Sequence, residues 1–501
     1  MKAANYITFA VAILCSLQLY GGPRTITLSE AIELAKVQSV DAAVAINELR
    51  AAYWEYHTFK ADMLPEVNFS ASLPSYNQNY TTYQQADGSY TYVRNNYLGM
   101  NGEISVNQNI PFTGGSISLE TSLDYLKQLD SDKGGRFMSI PFAITWNQPI
   151  FAANSLKWKK RIEPVKYREA QARFLSDMEE VTMLAINYYF NLLLAQENVE
   201  ISTQNLNNAQ KLYEVAKAKR KMGQISENDL LQMELNVLDS KTEFTDNESR
   251  HKSAMFQLRS FLALDEGSII EAVIPETMVC GTLQYEDVLQ KAQENNCFSK
   301  NILRRQLEAE YNVASTKGNL RSLTLFAQAG YTGTDQMLEQ AYSNLKNNQV
   351  IQVGIKIPIL DWGKGRGKVK MAQSNYEVVE SRIKQETMNF NQNIFILVEQ
   401  FNNQKAQLEN AGTANRIAQK RYDTNIETFL IGRISTLDLN DSQSKKDYAK
   451  QNYINELFYY WYYYYQIRSL TLYNWIDNTD ITENFESYIR YKQSKIERQN
   501  K

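Results

Sequence analysis

The chain contains the same architecture twice. Pro149-Ile150-Phe151 returns as Pro358-Ile359-Leu360, and Met222-Gly223-Gln224-Ile225-Ser226 returns as Ile431-Gly432-Arg433-Ile434-Ser435, both at an offset of 209 residues. Upstream, Leu28-Ser29-Glu30-Ala31 matches Tyr285-Glu286-Asp287-Val288 at an offset of 257. Each copy therefore carries one order: helix, β segment, very long helix, tight turn, helix. Two copies exclude an ordinary solenoid, which needs at least about three stacked units. A doubled unit with helices this long predicts a protomer that supplies part of a tube.

The long helices carry their own periodicity. From Phe174 a heptad seam runs through Met178, Val181, Ala185, Tyr188, Leu192, Ala195, Val199, Ser202, Leu206, Ala209, Tyr213 and Ala216, apolar at every position but Ser202. Its counterpart runs from Ile383 through Ile394, Leu397, Phe401 and Leu408 to Asn425, with more polar exceptions. Alternating steps of 4 and 3 are the seam of a left-handed coiled coil. Two such seams in one chain predict helical hairpins packed side by side. At about 1.5 Å per residue, helix 152–222 would reach roughly 106 Å, and helix 364–431 about 102 Å. Helices 30–62 and 226–262 would reach about 50 and 55 Å, so that two short helices stacked end to end match one long one. Helices 283–318 and 435–474 together give about 114 Å. A four-column layer of that length buries its second face only against other protomers.

Both hairpin turns have the same grammar. Gly223 and Gly432 end the incoming helix, where a left-handed cap favours glycine. Ser226 and Asp229, and again Ser435 and Asp438, stand in S-x-x-D order at the start of the outgoing helix, a capping box with Asp in the place of Glu.

Between the helices the period changes to two. Alternating segments occur at Val67/Phe69/Ala71/Leu73, Ile104/Val106/Ile110, Ile117/Leu119/Leu123/Tyr125 and Ile140/Phe142/Ile144/Trp146, then at Leu323/Leu325/Ala327/Ala329/Tyr331 and Ile351/Val353/Ile355/Ile357/Ile359. Ser, Thr, Asn and Gln take much of the other face. A membrane barrel strand has this pattern, and so does a half-buried soluble sheet. The offset falls from 257 to 209 across this region, so the first copy holds about 48 extra residues, which a hairpin near 102–126 accounts for. Whether that hairpin joins the sheet or stands apart is left open by the pattern.

Composition narrows the class. Net charge is −3, which offers no electrostatic footprint for nucleic acid. Nine prolines in 501 residues permit long uninterrupted helices. Past the N-terminus no run of 18 apolar residues exists, so a transmembrane helix is not expected. Residues 1–22 read as a secretory signal, with Lys2, an apolar stretch from Tyr6 to Leu19, and small Gly21-Gly22. Cys15 raises a lipidation reading, against which Leu14 stands where a small residue is required. Cys280 and Cys297 remain after cleavage, and both a disulfide and two free thiols fit. His57 and His251 are isolated and give no metal spacing. Asp361-Trp-Gly-Lys-Gly-Arg-Gly-Lys368 lacks the Walker order and reads as a linker between strand and helix. No nucleophile–base or metal constellation is present, so an enzyme and a cofactor are not expected. The aromatic run Phe458–Tyr465 fits either an interfacial belt or packing within the helical body.

The duplicated unit, the Leu64-Pro65 entry to the first strand, the Pro-Ile-Phe/Leu exits into long helices and the paired Gly-x-Ile-Ser turns together resemble TolC-type outer membrane efflux proteins. The resemblance covers roughly residues 25–475. It implies a mixed α and β membrane protein: a homotrimer whose strands pool into one β-barrel, joined to a periplasmic α-helical tube of coiled-coil hairpins. It places the chain in the outer membrane of a Gram-negative bacterium, in contact with its lipid. There it is a passive exit duct that docks a periplasmic adaptor protein and, through it, an inner-membrane pump. The first repeat would span 25–265, with strands about 66–148 and hairpin 152–262. The second would span 283–475, with strands about 322–360 and hairpin 364–474, and a polar tail would occupy 476–501. The adaptor would meet the hairpin tips, Gly223, Gln224, Ile225 and Ser226 with Gly432, Arg433, Ile434 and Ser435. Asp438 and Asp441 match acids that ring the closed aperture, and Asp229 matches an acid that latches it. Arg433 sits one place earlier than the family's basic residue, and Phe429 stands where a Tyr often latches. The other reading, a soluble coiled-coil scaffold, explains neither the signal nor the six alternating segments.

Overall fold

The computed structural model describes residues 24–130, 134–265, 267–278, 280–431 and 433–489. The expected signal segment 1–22 with Cys15, the tail from residue 490, and Gly432 lie outside the described residues. In chain order the elements are β1 (Arg24–Ile26), α1 (Leu28–Gln38), α2 (Val40–Ala61), β2 (Glu66–Gln84), β3 (Tyr90–Ile110), β4 (Gly115–Gln128) and β5 (Arg136–Pro149). They continue with α3 (Ser155–Lys221), α4 (Glu227–Phe261), β6 (Ile270–Ala272), α5 (Tyr285–Asn295), α6 (Cys297–Gly318), β7 (Ser322–Asp335) and α7 (Leu338–Ser343). The last are β8 (Lys346–Lys356), α8 (Lys364–Leu430), α9 (Thr436–Thr471), β9 (Tyr473–Asn474) and β10 (Thr479–Asp480). Helices α1 and α2 return as α5 and α6 with both ends shifted by 257 residues, and α3 returns as α8 with both ends shifted by 209. The breaks inside these pairs repeat as well. Ser39 and Asn296, both buried and extended, end one helix and start the next. The Ser39 hydroxyl accepts from Ala42 N at 3.1 Å, and Asn296 Oδ1 from Phe298 N at 2.8 Å.

The chain forms two compact units. The first comprises residues 24–50, 170–299 and 387–489 of the described chain, and it holds the principal apolar core. The heptad seam supplies that core: Phe174, Met178, Val181, Ala185 and Leu192 are buried, as are Ile394, Leu397, Phe401 and Leu408. Ile186, Tyr189 and Leu193 are buried too, so α3 presents a face wider than a single seam. Tyr189 ties the core to the parallel β1–β6 pair, its hydroxyl donating to Val273 O at 2.6 Å, accepting from Val273 N at 2.9 Å and lying 3.0 Å from Ile26 O. The aromatic run belongs to this core. Tyr460 and Tyr464 are buried, Tyr460 stacks on Phe401 at 5.5 Å, and their hydroxyls donate to Met278 O and Asn474 Oδ1. A buried Tyr needs such a partner for its hydroxyl. Buried Glu179 is flanked by Lys36 at 3.3 Å and Arg468 at 3.1 Å, the pairing an enclosed carboxylate requires. Cys280 and Cys297 are free thiols.

The second unit comprises residues 51–169 and 300–386. Its sheet is a six-stranded antiparallel meander in the order β2-β3-β4-β5-β7-β8. The hairpin near 102–126 is part of it: β3 pairs with β4 from Ile110↔Gly115 to Tyr97↔Gln128, through a turn at 111–114. The register aligns one face across the sheet. Val67, Val106, Leu119, Ile144 and Ala329 form one row, and Ile117, Trp146, Ala327 and Ile351 another. Asn68, Ser105 and Glu120 lie on the opposite face, where Gln328 donates to Glu120 at 3.1 Å. The second-copy strand region, expected to reach about 360, ends at Lys356. Lys356 pairs with Ser322, the first residue of β7, so no partner remains beyond it, and Pro358 has no N–H to offer a ladder.

Candidate functional site

The two hairpin tips, both in the first unit, are built by the same backbone chemistry. At the first, Gly223 has φ +74, the left-handed region that a residue with Cβ enters at a cost. Gly223 N donates to Arg220 O at 3.0 Å and Gln224 N to Lys219 O at 2.9 Å, the paired bonds of a Schellman motif. At the second, Arg433 N donates to Thr428 O at 3.1 Å, the same bond displaced by 209 residues.

Each outgoing helix then opens with a complete capping box. Ser226 Oγ accepts from Asp229 N at 3.1 Å, and Asp229 Oδ2 accepts from Ser226 N at 3.1 Å. Ser435 Oγ accepts from Asp438 N at 3.1 Å, and Asp438 Oδ2 accepts from Ser435 N at 3.2 Å. The serine hydroxyls also donate to these carboxylates, at 2.7 and 2.6 Å. Donation from hydroxyl and backbone N–H holds both carboxyls below the usual carboxylate range. The cap role of Asp229 and Asp438 is therefore a fact of the fold, whatever further role they have.

Side chains from both tips line one cavity of about 380 Å³. Gln224, Ile225 and Asp229 come to it from the first hairpin, with Ile434 and Ser435 from the second. Lys219 and Phe429 also line it, the Lys219 ammonium lying 5.4 Å from the Phe429 ring. Asp438 and Asp441 do not line this cavity. Asp441 instead pairs with Arg421 at 2.7 Å across the second hairpin, both side chains about half exposed. Asn425 Nδ2 lies 3.5 Å from Asp438 O.

The sequence reading missed Lys219, Met233 and Arg421. The first two sat in plain view on amphipathic helices and gave no signal. Arg421 and Asp441 did give one: the first copy has Leu212 and Gln232 at the corresponding positions, so both partners of the ion pair depart together from the repeat. Among the described residues no His, Cys, Asp and Glu cluster could hold a metal, and no helix is long and apolar enough to cross a membrane.

Residues 31–264 match the model of the family described as outer membrane efflux protein. No curated protein matches the chain in sequence. Among solved structures it is similar to the Campylobacter jejuni CmeC outer membrane channel, with a TM-score of 0.65 at 14% identity over 92% of this chain and 88% of that one. It is similar to the outer membrane protein VceC from Vibrio cholerae, at 0.62 and 13% over 91% and 97%. The open state of the Neisseria gonorrhoeae MtrE outer membrane channel matches at 0.59 and 12%, over 91% of each chain. At such identities the likeness shows a shared fold.

Proposed function

We propose that this chain, a member of the outer membrane efflux protein family through its match over residues 31–264, is the exit duct of a tripartite efflux or secretion system. It conducts substrate passively out of a Gram-negative cell and performs no catalysis. A periplasmic adaptor docks at the hairpin tips, and an inner-membrane pump supplies the energy.

The observation that carries this reading is the sheet. One face is mainly apolar, interrupted by Gln108, Thr121 and Gln349, and β2 and β8 each pair on one side only. Unpaired strand edges are not tolerated in lipid, which leaves closure with further copies as the way to satisfy them. A homotrimer would pool eighteen strands, in the range in which barrels leave an aqueous channel. The apolar rows would face lipid, and Asn68, Ser105 and Glu120 the lumen. The two copies, 25–265 and 283–475, would each contribute one hairpin to the helical tube.

At the tips, the shared cavity with Gln224, Ile225, Ile434 and Ser435 is the adaptor's seat. Asp438 and Asp441, repeated around a three-fold axis, ring the aperture and favour cations. The Arg421 pair tempers Asp441, holding the second hairpin together until opening separates them. Single-channel recording in a planar bilayer, with oligomer mass measured alongside, tests the reading. A trimer with small, cation-selective openings is expected. A monomer without pore activity overturns the duct.

A further inference from the structure

At one end of the six-stranded sheet the second unit carries an apolar and basic belt that the conduction of substrate does not use. The register places there the end of β5, the start of β7, the end of β8 and the β3–β4 turn: Pro149 lies opposite Thr324, Ser322 opposite Lys356, and Ile110 opposite Gly115. The belt has the same make-up in both copies. After β8, Ile359 is fully exposed, Trp362 is 89% exposed and Leu360 71% exposed, followed by Lys364, Arg366, Lys368 and Lys370. After β5, Ile150 and Phe151 are exposed, followed by Lys157, Lys159, Lys160 and Arg161. Phe112, in the β3–β4 turn, is 92% exposed, and Asn154 Nδ2 donates to its carbonyl at 3.2 Å.

The charge is concentrated, and Glu163 and Asp361 interact with Lys159 and Arg366. Segments 150–162, 311–321 and 356–370 hold eleven Lys and Arg and a single acid, with Glu163 and Glu310 at their borders, in a chain whose net charge is −3. That acid, Asp361, is occupied: its carboxylate accepts from Gly363 N and Gly365 N at 2.9 and 2.7 Å. Among the described residues, none of the eleven forms a salt bridge. The cations open onto two hollows. One, of about 730 Å³, is lined by Lys356, Lys364 and Lys368 with Thr316 and Asn319, and Asp361 also stands in its wall. The other, of about 640 Å³, is lined by Lys157, Lys317 and Arg321 with Trp158. Arg161 lies 4.7 Å from the Trp158 ring.

Exposed aliphatic and indole side chains beside clustered cations are the make-up of a surface that sits at a bilayer's headgroup level. The aromatic and aliphatic groups enter the interface, and the cations meet phosphate. We propose that this belt binds anionic phospholipid headgroups of the leaflet at that end of the sheet, with the two basic hollows as the headgroup seats and Ile359, Leu360 and Trp362 dipping among the acyl chains. The proposal rests on the duct reading, in which the sheet is inserted in a bilayer.

The test uses the full chain, purified in detergent and equilibrated with micelles containing phosphatidylglycerol, cardiolipin and phosphatidylethanolamine in equal amounts. Native mass spectrometry then counts the lipids retained. Wild type should keep the anionic lipids in preference to phosphatidylethanolamine, and millimolar inorganic phosphate should not displace them. K364A/R366A/K368A should lower that preference roughly tenfold, whereas K364R/K368R should preserve it and W362A should weaken retention of all three lipids. Equal retention of the three lipids by wild type, or an unchanged preference in the triple alanine variant, overturns the belt. Conductance of the same samples separates the two readings: pores without anionic preference reject the belt and keep the duct, and absence of oligomer and pore rejects the duct itself.

Discussion

The two hairpin tips share one backbone and carry different chemistry. Both end in the same helix-terminating bond, and both restart with a Ser–Asp capping box. Yet the last turn of α3 holds Lys219, Arg220 and Lys221, while the last turn of α8 holds no basic residue. The ion pair Arg421–Asp441 exists in the second hairpin, and Leu212 and Gln232 replace it in the first. The difference teaches where duplication was free to diverge. Caps terminate the helices and are needed twice. Charge has no part in that termination, and it is in charge that the two tips differ.

The sharpest break of the comparison removes the acids of one tip at a time. Asp438→Ala with Asp441→Ala should collapse cation selectivity and ion block in the planar bilayer, whereas Asp229→Ala, at the first tip, should leave selectivity close to wild type. Unchanged selectivity in the double variant would remove both acids from the aperture. Next in size is Arg421→Ala. An exposed pair contributes about 0.2–1 kcal/mol, and three around an axis could shift the open–closed balance by roughly tenfold. Open probability should rise, and Leu212→Ala should not change it. Smaller still, Ser226→Ala and Ser435→Ala should each loosen their own hairpin by about 1 kcal/mol. The two costs should be equal within error, read by amide exchange over the first turns of α4 and α9, because the cap geometry is the same. A large inequality would mean that the tips are not structural equivalents.

Much of the mixed helix-and-strand fold was legible because two copies answer for each other. A boundary that recurs at a fixed offset is set by cap chemistry common to both, and S-x-x-D with a preceding Gly is such chemistry. The six alternating segments fell on the six long strands, apart from Ile357 and Ile359 beyond the end of β8, since a period of two reports which face a side chain takes. Alternation says nothing about neighbours, so it could not tell whether the hairpin near 102–126 joined the sheet. The tip ion pair was hidden differently. A search for what the copies share passes over Arg421 and Asp441, whose signal is that they differ together from Leu212 and Gln232. Polar residues in the helical body were hidden as well. Asn205 and Lys446 are buried because Asp447 meets both, at 2.7 and 3.0 Å, with Lys446 also 4.6 Å from the Tyr422 ring. A lone Lys on a helix reads as solvent-facing until its partner is known.

Acid should separate the tips from the helical body that carries them, because their carboxyls are shifted in opposite directions. Asp229 and Asp438 are lowered by cap hydrogen bonds, so their stabilisation is fully present at neutral pH and is lost only as pH falls through and below the usual carboxylate range. Asp177, on α3, is pushed up to about 6, first by burial, then by the charges of Glu48 and Glu180, against the opposing pull of Arg173. A raised folded value means that its contribution is present below the usual carboxylate range and is lost as pH rises from there through about 6. Between about pH 4 and pH 7 the body around Asp177 should therefore weaken while the tips hold. A displacement of that size would be worth about 3 kcal/mol in full, and the half-exposed position leaves on the order of 1 kcal/mol after screening. Asp177→Asn keeps the neutral form at every pH. It should slow amide exchange in the surrounding turns of α3 at about pH 7.5 and leave it nearly unchanged at about pH 4, with no effect on exchange at either tip. Equal slowing at both pH values would assign the gain to packing and leave the charge of Asp177 without a role.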